Sequence, residues 1–100
     1  MQLVITVLEA HVAPEKTAAL EEAYKGAIGQ LDAGITQTFL LRSFKDATLW
    51  QIATVWESRE ALDEMRRSGE TPRGVLIFRA AGAEPVLSVS DIVASAAVPA

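Results

Sequence analysis

Leu49-Trp50-Gln51-Ile52-Ala53-Thr54-Val55-Trp56-Glu57, followed without a break by Ser58-Arg59-Glu60-Ala61-Leu62, is the stretch that decides the fold. Side chains alternate along a strand, so Trp50, Ile52, Thr54 and Trp56 share one face while Leu49, Gln51, Ala53, Val55 and Glu57 share the other. Both faces are largely apolar, the mark of a strand covered on both sides. Ser58 is a good N-cap, and behind it Ala61, Leu62 and Met65 form the inner stripe of a helix, with Asp63 and Arg67 four residues apart on its outside. Ser68-Gly69 ends that helix.

Working outward, residues 35–44 read as a strand, and Lys45-Asp46-Ala47-Thr48 is short enough to join it to the tryptophan strand as a hairpin. With Phe44 opposite Leu49, the pairs Leu41–Ile52, Phe39–Thr54 and Gln37–Trp56 follow. Ile35, Phe39 and Leu41 then share the tryptophan face, while Thr36, Thr38, Leu40 and Arg42 lie on the other. Upstream, residues 3–12 alternate Leu3, Ile5 and Val7 against Val4, Leu8 and Val12, a first strand that stops before Pro14. From Pro14 to about Asp32, Leu20, Ala23, Tyr24, Ala27, Ile28 and Leu31 recur as one helical stripe, with Gly34 as the stop.

Downstream, Thr71-Pro72 repeats the cap-then-proline signature and predicts a short helix to about Ala81 that carries Val75, Leu76 and Phe78 inward; the apolar run 75–78 also fits a strand. Residues 86–93 alternate as a fourth strand, and the tail over residues 95–100 reads as extended, frayed or laid on a partner subunit. The order strand, helix, strand, strand, helix in two pieces, strand is the α+β, ferredoxin-like β-α-β-β-α-β arrangement, with helices on one side of a four-stranded antiparallel sheet. The bare side is apolar too, which predicts a second copy packed sheet to sheet, a homodimer through that face.

Composition narrows the function. The 100 residues, half of them hydrophobic and with net charge −4, suit one globular domain over residues 1–100. With no cysteine and a single histidine, thiolate zinc, iron–sulfur and ordinary histidine metal sites are not expected, so no metal or other cofactor is assigned. The acidic balance, with no basic run longer than Arg66-Arg67, argues against nucleic acid. No apolar run approaches the roughly 20 residues that span a bilayer, and Met1-Gln2-Leu3-Val4 lacks a secretory signal's basic start, so a cytoplasmic protein without membrane contact is expected.

The segment Trp56-Glu57-Ser58-Arg59-Glu60-Ala61-Leu62, with Ala13-Pro14-Glu15-Lys16 opening the first helix, resembles the antibiotic biosynthesis monooxygenase family of small dimeric α+β barrels. The resemblance implies a pocket between sheet and helices. In it, oxygenase members oxidise polycyclic aromatics with molecular oxygen and neither metal nor flavin, by positioning a substrate that becomes a carbanion and stabilising the oxyanion that develops. Trp56 matches the family tryptophan. The position four residues earlier, asparagine in characterised oxygenases, is Ile52, which can neither donate a hydrogen bond nor orient an oxyanion. Haem-degrading relatives carry a histidine on the helix after the tryptophan, and residues 58–82 contain none.

The candidate catalytic residues are therefore Trp56, able to stack on a planar substrate and donate its indole N–H, and His11, the one side chain that titrates unperturbed near neutrality. Trp56, Ile52, Phe39, Tyr24 and Phe78 are the candidate substrate-binding residues. For each there is a plainer account: Trp56 as a core residue, His11 as a half-exposed strand end, Tyr24 as packing, Trp50 as packing or dimer contact. Arg42 is expected to pair across a dimer with Glu9 or Glu57, and Arg79 to meet solvent or a substrate carboxylate. Three functions fit these residues: a cofactor-independent monooxygenase acting on a small apolar or aromatic molecule, a non-catalytic binding or stress-response barrel, favoured by Ile52, and an isomerase or lyase in which His11 moves a proton.

Overall fold

The computed structural model describes residues 2–99. It has strands β1 (Val4–His11), β2 (Ile35–Arg42), β3 (Leu49–Trp56) and β4 (Val86–Asp91), and helices α1 (Thr17–Ala27), α2 (Arg59–Arg67) and α3 (Arg73–Ala80), with a 3-10 turn, Pro14–Lys16, before α1. The strands form one antiparallel sheet in the order β2-β3-β1-β4. This is the ferredoxin-like arrangement expected from the element order, with the segment after β3 folded as two helices. None of the helices among the described residues is long and apolar enough to cross a membrane.

β1 and β3 are central, and their even-numbered residues Val4, Leu8, Ala10, Trp50, Ile52 and Trp56 are buried beneath the helices. Leu20 from α1 and Ile77, Phe78 and Ala81 from the α3 segment close the main core over Leu8, Trp50 and Ile52, while Leu62 from α2 joins Val4 and Trp56 in a second cluster. Ser58 caps α2 as its sequence predicts: the backbone there is extended, and Oγ accepts from the Ala61 N–H at 3.1 Å. Two glycines permit close approach. Gly34 has φ +93, and a Cβ there would sit 2.5 Å from Ala61 Cβ, so only glycine lets the start of β2 pass beneath α2. A Cβ on Gly74, at the start of α3, would meet Leu8 Cδ1 at 2.5 Å.

The hairpin departs from the sequence expectation. Arg42 pairs with Trp50, Leu40 with Ile52 and Thr38 with Thr54, one residue out of the expected register. The loop is the reason. Ser43 stays paired, its N–H donating to the Leu49 carbonyl at 3.0 Å, and its Oγ accepts from the N–H groups of Lys45 and Asp46. Asp46 accepts in turn from the Thr48 N–H and hydroxyl, contacts that, with a lesser contribution from His11, hold its carboxyl below the usual carboxylate range. The connection is thus one residue longer than the four assumed, and a one-residue slip moves every side chain of β2 to the other face. Thr38, Leu40 and Arg42 lie on the tryptophan face, and Phe39 and Leu41 lie on the open one. A bulge between Ile35 and Gln37 returns Ile35 to the tryptophan side, opposite Trp56.

The 3-10 turn and α1 end by Ala27, short of Asp32, because Gly29 and Asp32-Ala33-Gly34 favour turns. α3 is a helix, and it buries Ile77 and Phe78 while Leu76 is exposed. Arg67 pairs with Glu64 at 2.6 Å, one turn back, instead of with Asp63. The tail beyond β4 is irregular and largely exposed as far as Pro99, and Ala100 lies outside the described residues.

Candidate functional site

Between the tryptophan face of the sheet and the helices lies a cavity of about 160 Å³. Its floor comes from three adjacent strands, Thr6 and Leu8 on β1, Ile52, Thr54 and Trp56 on β3, and Thr38 with Ile35 on β2. α1 supplies Tyr24 and Ala27, α2 Leu62 and Met65, and α3 Val75 and Ile77. The mouth is marked by lining residues that also meet solvent: Ile28 and Leu31 after α1, Leu87 on β4, and Arg66 and Arg73. The walls are chiefly hydrocarbon, as ligand pockets are, with a few placed polar groups.

Trp56 is the large aromatic of the wall. It is 3 % exposed, and its Nε1 donates to Thr6 Oγ1 at 3.2 Å, which fixes the indole plane. Thr6 Oγ1 donates to the Thr54 carbonyl at 3.5 Å, and the Thr54 hydroxyl lies 3.5 Å from that of Thr38, with either able to donate. Tyr24 reaches down from α1 and donates its phenolic O–H to Thr38 Oγ1 at 3.3 Å. At the mouth Arg73 Nε lies 3.6 Å from Asp32 Oδ1. The chain has six arginines. Arg59, Arg67, Arg73 and Arg79 are in ion pairs and Arg42 stacks over Trp50, while Arg66 has neither kind of partner among the described residues.

Of the residues singled out from the sequence, Trp56, Ile52 and Tyr24 come together around this cavity. Phe78 does not reach it: it is fully buried in the core behind, against the sheet. Phe39 is on the opposite face of the sheet because of the hairpin register. His11 is also on that opposite face, at the hairpin-loop end of β1. There it is exposed, with Nδ1 3.0 Å from Thr48 Oγ1 and 3.6 Å from Asp46 Oδ2. Strand alternation forces this, since the cavity takes the even-numbered residues of β1. A proton carried by His11 therefore has no access to a molecule beside Trp56.

Arg42, expected on the open face, lies instead on the tryptophan face with its guanidinium 5.5 Å from the Trp50 ring centroid. Trp50 is core, 4 % exposed, and its Nε1 is buried without a partner. Arg79 is paired outside the cavity with Glu84 at 2.9 and 3.0 Å, an exposed pair in which the guanidinium lowers the Glu84 pKa and the carboxylate raises that of Arg79. Sequence reading passed over the three threonines and Arg66. In one strand at a time a threonine reads as a strand former, and only the register of three strands shows that these hydroxyls form a row.

A ferredoxin-like α+β domain with a tryptophan-walled cavity between its sheet and its helices is the class of protein that this fold and site define. Residues 2–74 match the family described as antibiotic biosynthesis monooxygenase, and the chain belongs to that family. No curated protein matches it in sequence. Among solved structures it is similar to a conserved protein from Methanosarcina mazei, with TM-score 0.71 and 17 % identity over 90 % of this chain and 92 % of that one. It is also similar to a protein from Mycobacterium tuberculosis, with TM-score 0.69 and 19 % identity over 95 % and 99 % of the two chains. A third is SnoaB of Streptomyces nogalater, a cofactor-independent oxygenase whose structure is that of an asparagine-to-alanine mutant, with TM-score 0.64 and 19 % identity over the whole of both chains. At these identities the likeness is one of fold.

Proposed function

We propose that the protein binds a small hydroxylated aromatic molecule in this cavity and oxidises it with molecular oxygen, the substrate itself supplying the electrons. One observation carries the reading: the Trp56 indole, held in plane by Thr6, walls a hydrocarbon cavity that also contains hydroxyl groups. Volume sets the ligand's size. An apolar cavity of about 150 Å³ accepts benzene, so this one suits a single enclosed ring, with a second ring reaching towards the mouth.

The chemistry balances without a reductant. A phenol that loses its proton carries carbanion character at the ring carbon opposite its oxygen, and that carbon forms the new bond to oxygen. Loss of the ring hydrogen and cleavage of the O–O bond then leave a quinone carbonyl and one molecule of water, all four electrons having come from the ring. Arg66 at the mouth favours a ligand that becomes an anion, and the dry wall of Trp56, Ile52 and Leu62 keeps water from the reacting carbon.

An oxygen electrode with 1-naphthol tests this. The expected result is one O₂ consumed per naphthoquinone formed, with kcat/KM reduced about tenfold in Trp56→Phe, in line with an aromatic contact and hydrogen bond worth ~1.4 kcal/mol. Ile52 favours a second reading, a binding protein that retains the pocket without turnover. Calorimetric binding of 1-naphthol with no oxygen uptake would decide for it. We also propose that two copies pack through the open face, where Ile5, Val7, Phe39, Leu41, Ala53 and Val55 form an apolar patch across three strands.

A further inference from the structure

We infer that the threonine row Thr6–Thr54–Thr38, with Tyr24 above its end, is the subsite that receives the ligand's oxygen and so fixes which edge of the ring faces the sheet; the inference rests on reading the cavity as an aromatic site. Thr54 is in register with Thr6 on one side and Thr38 on the other, so three hydroxyls cross three strands in a line. The line ends at β4, where Val89 is the partner of Thr6. Elsewhere the enclosed wall is hydrocarbon, from Leu8, Ala27, Ile52, Leu62 and Ile77. A ligand oxygen placed against that hydrocarbon would lose its water without replacement.

The row has hydrogen-bonding capacity left over at its Thr38–Thr54 end. A threonine hydroxyl offers one donor and two acceptor positions; Thr54 Oγ1 has one contact and Thr38 Oγ1 two, and these are long, 3.3 Å from Tyr24 to Thr38 and 3.5 Å from Thr38 to Thr54, against about 2.7–2.8 Å for a well-made O–H···O bond. The sharing between Thr38 and Thr54 is also reversible, because either can be the donor. The same pair can therefore accept from a phenol O–H, or donate to a phenolate or a quinone carbonyl, and Tyr24 adds a second donor. One subsite then holds the oxygen through the whole oxidation while Trp56 and Ile52 hold the ring. The polar contact that Ile52 cannot make is supplied from the neighbouring strands and from α1. Thr38, Thr54 and Tyr24 are accordingly specificity-determining residues.

Two probes of one shape separate this from plain hydrophobic binding: 1-naphthol and naphthalene, titrated by calorimetry into the wild type and into Thr38→Val, Thr54→Val and Tyr24→Phe. The wild type should prefer 1-naphthol. Thr38→Val and Tyr24→Phe should each weaken 1-naphthol roughly three- to tenfold, the range of a neutral hydrogen bond, and leave naphthalene within twofold. Retained naphthalene affinity shows that the cavity is intact in each variant, and the three variants are independent should one fail to fold. If all three leave the ratio of the two affinities at its wild-type value, the hydroxyl row is overturned while the aromatic site stands. If the wild type binds neither probe, the aromatic reading falls and this inference falls with it.

Discussion

Single residues carry much of the chain's specification, and Gly34 is the sharpest case. Its φ of +93 is a region that L side chains avoid, and the Ala61 methyl occupies the place its Cβ would take. Gly34→Ala is therefore expected to cost about 2–4 kcal/mol, from backbone strain and a displaced α2 together, read as a lower urea midpoint at unchanged slope. In the sequence Gly34 was legible only as a helix stop. Its second duty, clearance beneath α2, depends on a residue 27 positions away and has no local signal. Trp56 and Ile52 were legible as a pair four apart on one strand face. The threonines were not, because their meaning lies in alignment across β1, β2 and β3.

Elements were legible in kind and less so in extent. Every strand and helix stands where periodicity and caps put it. α3 resolves as a helix because the cap-and-proline start and the burial of Ile77 and Phe78 outweigh a four-residue run that also suits a strand. Connections were the weak point. The hairpin was read as a four-residue loop, but the Ser43 and Asp46 hydrogen bonds build a longer one, and the pairing moved by one residue. Two phenylalanines that look alike in sequence are separated by this. Phe44, at the loop's start, is wholly exposed, and Phe78 is wholly buried. Phe44→Ser should change stability by less than about 0.5 kcal/mol, whereas Phe78→Ala should remove about 3–5 kcal/mol; thermal melts of the two side by side make the comparison. Sequence placed Phe78 among the substrate-binding residues, and the structure gives it no place at the cavity wall.

The whole molecule is a sheet with two unlike faces. One is roofed by helices and holds the cavity; the other carries Phe39 and Leu41, each a little over 40 % exposed, beside Ile5, Val7 and Val55. The ferredoxin-like arrangement was legible from the element order alone, since few topologies satisfy it. If the open face holds a second copy, a carboxylate in its apolar patch should separate the two. Phe39→Asp is expected to sediment as a folded monomer where the wild type sediments as a dimer, with its circular dichroism unchanged; a wild type that sediments as a monomer would refute the pairing. The loop over residues 44–48 gains a wider meaning from this. Because its length sets the parity of β2, it allocates that strand's side chains between the cavity and the open face. A relative with one residue more or fewer in this loop would send Phe39 and Leu41 into the cavity and Thr38 to the opposite face, unless its bulge moved to compensate. Turn length in this hairpin thus works as a switch between the two faces of the sheet, so chains of this fold are best aligned by it before their cavity residues are compared.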